Sequence, residues 1–216
     1  MQTININEIF ASINGEVNKW HQGSPTVFVR FQGCNLSCDY CDTKHAQSLI
    51  EYNEPYTIPE LLTEIKFYRI KRVTITGGEP LLQKAIYKLI VKLAISEFQI
   101  SIETNGSVEI PTPLINNEIC WIVDYKIEFA DQMIIKNYLN LTKNDWVKFV
   151  IPDRHEFDRA ILIKENLQER GCKAKFAFSP IGADFSLAGQ MVDWLIEEEI
   201  DDVVLNLQIH KIINAR

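Results

Sequence analysis

The chain has 216 residues, 46% hydrophobic and 24% charged, which are ordinary proportions for a soluble globular protein with one sizeable core. A formal charge of −7 argues against a nucleic-acid partner, because such binders carry a basic patch or stripe. No apolar run approaches membrane-spanning length, and Met1 opens a polar segment without a signal-peptide pattern, so a cytoplasmic protein with no membrane partner is expected.

Residues 4–10 (ININEIF) and 26–31 (TVFVRF) are rich in β-branched and aromatic residues and read as strands. The intervening SINGEVNKWHQGSP carries turn formers and reads as a loop. A loop with three cysteines follows, then a helix over 59–70 with proline near its start. A strand over 72–76 runs into Gly77-Gly78-Glu79-Pro80, and 81–95 has helical apolar spacing. Strands are expected over 99–104, 121–126, 146–151, 173–178 and 203–208, and helices over 153–170 and 186–199. The connection 107–120 shows no clear helix. No repeat, low-complexity tract or Gly/Ser linker divides the chain, and residues 1–216 read as one domain.

Strand–helix alternation of this kind predicts an α/β fold with parallel strands joined by right-handed crossovers. Periodicity does not decide between an open, doubly wound sheet and a curved partial barrel. The polar motifs fall just after strands: the cysteine loop, TGGEP, ETNG, DYK, SPIG and QIHK. Ligand sites of parallel sheets and barrels lie at the carboxyl ends of the strands, so these six motifs should converge on one mouth.

The chemistry starts at RFQGCNLSCDYCDT, residues 30–43, where Cys34, Cys38 and Cys41 stand as Cys-x-x-x-Cys-x-x-Cys. Grouped soft thiolates suit an iron–sulfur cluster or zinc. Three cysteines would leave one iron of a four-iron cluster open to bind something else. His45 could instead complete a Cys3His zinc site. Cys120 and Cys172 adjoin expected strands and read as core packing. Glu79, in TGGEP, could accept hydrogen bonds from an ammonium group, or the motif could be a plain turn. Asn105-Gly106 and Ser179-Pro180-Ile181-Gly182 could each be a ligand contact or a turn. Thr43 offers a hard oxygen suited to Mg²⁺, and Arg30 could grip a carboxylate with two parallel hydrogen bonds or form a surface ion pair.

The cysteine loop resembles the signature of radical S-adenosylmethionine (SAM) enzymes, with the aromatic Tyr40 before the third cysteine, and TGGEP resembles their SAM-amine motif. Taken with INEIFASINGE, VFVRFQGCNLSCDYCDT, VTITGGEPLLQ, SIETNGS, VKFVIP and LNLQIHKI, the chain resembles the 7-carboxy-7-deazaguanine synthases. The resemblance implies a partial, degenerate (β/α)6 TIM-like barrel of the radical SAM type. It implies reductive cleavage of SAM, hydrogen abstraction from C6 of 6-carboxy-5,6,7,8-tetrahydropterin, ring contraction with loss of ammonia to 7-carboxy-7-deazaguanine, and regeneration of SAM. Carried over by residue, Cys34, Cys38 and Cys41 would hold a [4Fe-4S] cluster and Thr43 the Mg²⁺. Asn14, Gly15, Glu16, Arg30, Thr76 and His210 would line the pterin site. Tyr40, Gly78, Glu79, Asn105, Lys126, Ser179, Pro180, Ile181 and Gly182 would contact SAM. An electron donor such as flavodoxin and a homodimer are implied on the same ground.

The chain departs from the family pattern in three places. Val17 stands where the early Gly-Glu-Gly has its second glycine, Asp124-Tyr125-Lys126 where many members have Ser-Pro-Lys, and Ala215-Arg216 where many have proline after the His-Lys pair. Two rival readings share the cysteine loop: a glycyl-radical-enzyme activase acting on a protein, and a zinc-stabilised binding module.

Overall fold

The structure is a computed structural model that describes residues 2–50 and 55–215. In chain order the strands are β1 (Thr3–Ile4), β2 (Ile6–Ile13), β3 (Pro25–Phe31), β4 (Tyr56–Thr57), β5 (Arg72–Gly77), β6 (Gln99–Thr104), β7 (Ile119–Asp124), β8 (Trp146–Ile151), β9 (Lys175–Pro180) and β10 (Val203–Leu205). The helices are α1 (Ile58–Phe67), α2 (Ile86–Ile95), α3 (Ile135–Leu139), α4 (Arg154–Glu169), α5 (Phe185–Glu197) and α6 (Ile209–Ile212). Eight strands form one sheet in the order β10-β9-β8-β7-β6-β5-β3-β2, and β1 pairs with β4 apart from it. Every neighbouring pair in the large sheet is parallel except β2 with β3.

Period-two alternation divides each central strand between two environments. Val73, Ile75, Ile100, Ile102, Trp121, Val123, Val147, Phe149, Phe176 and Phe178 are buried in the main core, the helix-covered side of the sheet. The helices reach it through amphipathic faces. In α1, Leu61 and Ile65 are buried while Phe67 is exposed, and the helix begins with a capping box between Thr57 and Glu60. Asp153 caps α4 by accepting from the Glu156 amide at 2.9 Å, and Asp184 caps α5 at the Ser186 and Leu187 amides.

The alternate residues face the other way, and there the loop 14–24 supplies the packing. Val17 and Trp20 cluster with Cys120, Ile122, Trp146 and Ala177. Asn18 exchanges hydrogen bonds with Ser101 at 2.8 and 3.0 Å, and Trp20 Nε1 donates to the Ile100 carbonyl. This loop also joins the sheet's two edges. No ladder links β10 to β2, but the Val17 amide donates to Asn206 at 2.8 Å, the Ile209 amide to the Gly15 carbonyl at 2.9 Å, and Gln22 to the Leu207 carbonyl at 2.8 Å. The sheet is therefore a curled partial barrel sealed by a loop, which resolves the choice that periodicity leaves open.

Several boundaries differ from expectation. The helix expected over 81–95 starts at Ile86, because Pro80–Leu82 form a 3-10 turn and Gln83 is extended. The Gln83 side chain explains the break: it bonds the Asn5 amide and carbonyl and the Gln32 carbonyl at 2.7, 2.8 and 3.0 Å. The strands expected over 121–126 and 173–178 lie at 119–124 and 175–180, and the last strand stops at Leu205 rather than 208. The connection 107–120 holds only a 3-10 turn, Thr112–Leu114, as expected. Cys120 is fully buried and Cys172 partly so, both packed against apolar residues as expected.

Candidate active site

At the carboxyl ends of the parallel strands lies a cavity of about 270 Å³. The loops after β3, β5, β6, β7, β9 and β10 all reach it. Its wall carries Cys34, Cys38, Tyr40, Cys41 and Thr43 from the first of these loops, and Thr76, Gly78, Asn105, Lys126, Ser179, Pro180, Ile181, Gly182 and His210 from the other strand ends and the segments that follow them. Gly15, Glu16 and Arg30 complete it from the β2–β3 side. The ends of the strands thus bring together most of the residues singled out from sequence.

Two are placed elsewhere. Asn14 does not line the cavity; its Oδ1 accepts from Thr74 at 2.8 Å and its Nδ2 donates to Ser24, because the loop 14–24 needs an anchor on β5. Glu79 is fully buried and also off the wall. Its carboxylate accepts from the Asn105 amide at 2.7 Å, the Leu81 amide at 2.9 Å and the Thr104 hydroxyl at 2.8 Å. It clamps the β5 and β6 ends together. Burial, opposed by these hydrogen bonds, pushes its carboxyl up to about 7.

The cysteine loop packs directly on the glycines after β5. The Gly78 amide donates to the Phe31 carbonyl at 3.0 Å and the Glu79 amide to the Gly33 carbonyl at 2.8 Å. Asn105 Nδ2 approaches Cys34 Sγ at 3.8 Å, and Cys41 Sγ lies 3.6 Å from Thr43 Oγ1. Burial pushes the Cys38 thiol up to about 12 and raises that of Cys34, so both are neutral without metal and loading must release their protons. No three His, Cys, Asp or Glu side chains among the described residues converge to hold one ion. A single zinc with sulfurs at about 2.3 Å would need them about 3.8 Å apart, whereas a cluster is held through a different iron at each thiolate. His45 is off the cavity wall, with Nε2 3.5 Å from Glu8. The donor set fits the cluster and not a Cys3His zinc site.

The charged floor is only partly legible in the sequence. The same register that turns Ile122 and Trp146 inward turns Asp124 and Lys148 inward one step further along their strands. Lys148 Nζ lies 2.5 Å from Glu16 Oε2 and 3.2 Å from Asp124 Oδ1, and Lys126 Nζ lies 2.7 Å from Asp124 Oδ2. Gln208 donates to Glu16 Oε1 at 2.7 Å. Burial works to raise Glu16, but the Lys148 ammonium outweighs it and holds the carboxyl below its ordinary value. Asp124 is held low in the same way by Lys126 and Lys148. Glu103, also on the wall, is pushed up to about 7 by burial and then by the Glu16 charge, against a hydrogen bond from Thr76. Arg30 Nε bonds Glu8 at 2.8 Å, and Phe10 and Phe28 stack 5.2 Å apart beside it. Burial lowers His210. Lys148, Phe10 and Phe28 escape sequence reasoning; a lone lysine in the apolar run VKFVI is the signal that points to Lys148.

Comparison with known proteins agrees with this geometry. The sequence pattern of the Radical SAM superfamily matches residues 28–178. The 7-carboxy-7-deazaguanine synthase of Clostridium acetobutylicum is 39% identical, covering 95% of this chain and 94% of its own. That of Koribacter versatilis is 32% identical over 96% of both chains. In fold, the chain is similar to the crystal structure of QueE from Escherichia coli, with a TM-score of 0.75 at 20% identity over 94% and 93% of the two chains. Streptococcus suis SuiB bound to its precursor peptide SuiA gives 0.59 at 14% identity, covering 81% of this chain and 46% of that one.

Proposed function

The chain belongs to the radical SAM superfamily and, within it, to the 7-carboxy-7-deazaguanine synthases, and on that premise we propose how its cavity divides the work of 7-deazapurine biosynthesis. An enzyme of this family uses a [4Fe-4S] cluster and SAM, which together supply abstraction of a hydrogen atom. In our reading Cys34, Cys38 and Cys41 hold the cluster. Gly78, Asn105, Lys126, Tyr40 and the 179–182 turn shape the SAM end, while Glu79 supports it from behind by fixing the 104–105 backbone.

The opposite end takes 6-carboxy-5,6,7,8-tetrahydropterin. Arg30 and His210 face the carboxylate of the substrate, since cationic and N–H donors suit an anionic oxygen. Glu16, kept ionised by Lys148, accepts from the pterin N–H groups. Thr76 and Glu103 sit between the two ends, where Glu103, with its carboxyl near neutrality, can hold or release a proton as ammonia leaves. Thr43 is the Mg²⁺ ligand, the remaining positions being filled by water and substrate. We place the enzyme in the cytoplasm as a homodimer that draws electrons from a donor such as flavodoxin.

The observation carrying this reading is that three thiols and a buried, alternating row of acids and lysines line one small cavity. A glycyl-radical activase, which acts on a protein chain, would leave that charged floor without a task. The test is an anaerobic reaction of reconstituted protein with SAM, dithionite, Mg²⁺ and 6-carboxytetrahydropterin, read by mass spectrometry. 7-Carboxy-7-deazaguanine is expected; 5′-deoxyadenosine without it would move the search to another substrate.

A further inference from the structure

The charged groups of the cavity floor form a row with one element that belongs to neither end. Asp124, the last residue of β7, divides its carboxylate between two lysines: Oδ2 meets Lys126 Nζ at 2.7 Å and Oδ1 meets Lys148 Nζ at 3.2 Å. The side chains are only 18%, 12% and 10% exposed for Asp124, Lys126 and Lys148. Beyond Lys148 the row continues to Glu16 and Gln208. Beyond Lys126 it ends on the ring of Tyr40, whose centroid is 5.3 Å from Nζ, inside the cysteine loop. Lys148 has a second acid, Glu16; among the described residues, Asp124 is the only acid within ion-pair distance of Lys126.

The geometry points to Asp124 as the positioning residue for Lys126: it fixes where that ammonium stands against Tyr40 and so how tightly the protein holds SAM. This rests on the reading that Lys126 belongs to the SAM end. A four-carbon lysine stem has many rotamers and is held in one only by its partners. The paired β7 strand anchors Asp124 and the shared carboxylate orients Lys126, while cation–π attraction to Tyr40 holds the ammonium from the far side. Without Asp124 the two buried ammonium groups would face each other with no acid between them, Glu16 lying beyond Lys148, and Lys126 would be driven away from the cysteine loop toward water.

The experiment measures SAM affinity by equilibrium dialysis on anaerobically reconstituted protein, without substrate or reductant. Asp124→Asn keeps the shape and removes the charge. With iron content and circular dichroism matching wild type, it is expected to bind SAM about tenfold more weakly, the size of effect lost with one charge-assisted contact. In turnover, the weakening is expected to appear in the KM for SAM. A dissociation constant within twofold of wild type overturns the assignment, as does a loss confined to kcat. Should Asp124→Asn not fold, Asp124→Glu keeps both lysines neutralised while displacing the carboxylate; weakening of about threefold supports the proposal and wild-type affinity overturns it. SAM binding is read without the pterin, so the two readings fail separately: wild-type protein that binds SAM but makes no deazaguanine sinks the substrate reading alone, and the affinity of the Asp124 variants still decides the role of Asp124.

Discussion

His210 packs against the bare Cα of Gly15 so closely that a Cβ there would fall 1.7 Å from Nδ1 and 2.7 Å from two ring carbons. Residues 195 positions apart in the chain thus fit as one surface, with the Ile209 amide donating to the Gly15 carbonyl beside them. Gly15→Ala must swing the imidazole out of the cavity. If His210 faces the substrate, the variant should raise the KM for the pterin about tenfold, as for loss of one hydrogen bond to a charged group, and leave SAM binding intact. Steady-state kinetics with varied pterin check it; an unchanged KM would mean that His210 points elsewhere.

Gly78 meets a harder obstacle. A Cβ on it would lie 2.2 Å from the Gly33 carbonyl oxygen and 2.8 Å from that of Ala46, both backbone atoms that cannot rotate away. Gly78→Ala should lever the cysteine loop off the β5 end, at a cost of about 1–3 kcal/mol. The expected result is a lower melting temperature together with reduced iron uptake on reconstitution. Full iron loading would show that the loop can shift without disturbing the three thiols.

The parts of the site readable from sequence are those where residue type and spacing carry the chemistry by themselves. Three thiols within eight residues announce a soft metal centre whatever surrounds them, and TGGEP or QIHK stands out as polar matter at the end of an apolar run. Lys148 is hidden because a single lysine inside a strand is more often an edge or surface residue, and only the register against β7 turns it inward beside Asp124. Glu79 is legible by its type, but the three donors from 81, 104 and 105 that meet its carboxylate are not. The five-residue α3 and four-residue α6 are too short for helical periodicity to register. The barrel's seal, loop 14–24, shows no regular pattern because its hydrogen bonds are divided between turns within the loop and distant groups such as Asn206 and the Leu207 carbonyl.

Glu103 provides a pH test. Its carboxyl ordinarily titrates near 4.5 and is pushed up to about 7 in the folded protein. The native state therefore holds a proton that the unfolded chain has released, and stability falls as pH rises from about 4.5 to 7. Glu103→Gln removes that titration. Melting temperatures at pH 5 and pH 8 should differ less in the variant than in wild type, by the equivalent of about 1–2 kcal/mol once screening in a partly open cavity is allowed for. Glu16 and Asp124, held low, act with the opposite sign and contribute only in more acidic solution. Equal pH slopes in the two proteins would contradict the origin assigned to the Glu103 shift.

The seal between loop 14–24 and the segment after β10 sets an order of events during synthesis. The bonds from Val17 to Asn206, Asn206 to Glu16 and Gln208 to Glu16 span 189, 190 and 192 residues of chain. Glu16 leaves a ribosome long before Asn206 and Gln208 do. The β2–β3 hairpin and the early strands can pair while translation continues, but the pocket floor cannot close until the segment after β10 has been made. Such distant closures are slow steps in folding, so a nascent chain would expose its cysteines long before it could shelter them. Delivery of iron and sulfide should therefore be productive only once residues 206–208 have emerged, and dilute oxidants should inactivate newly made chains faster than mature ones.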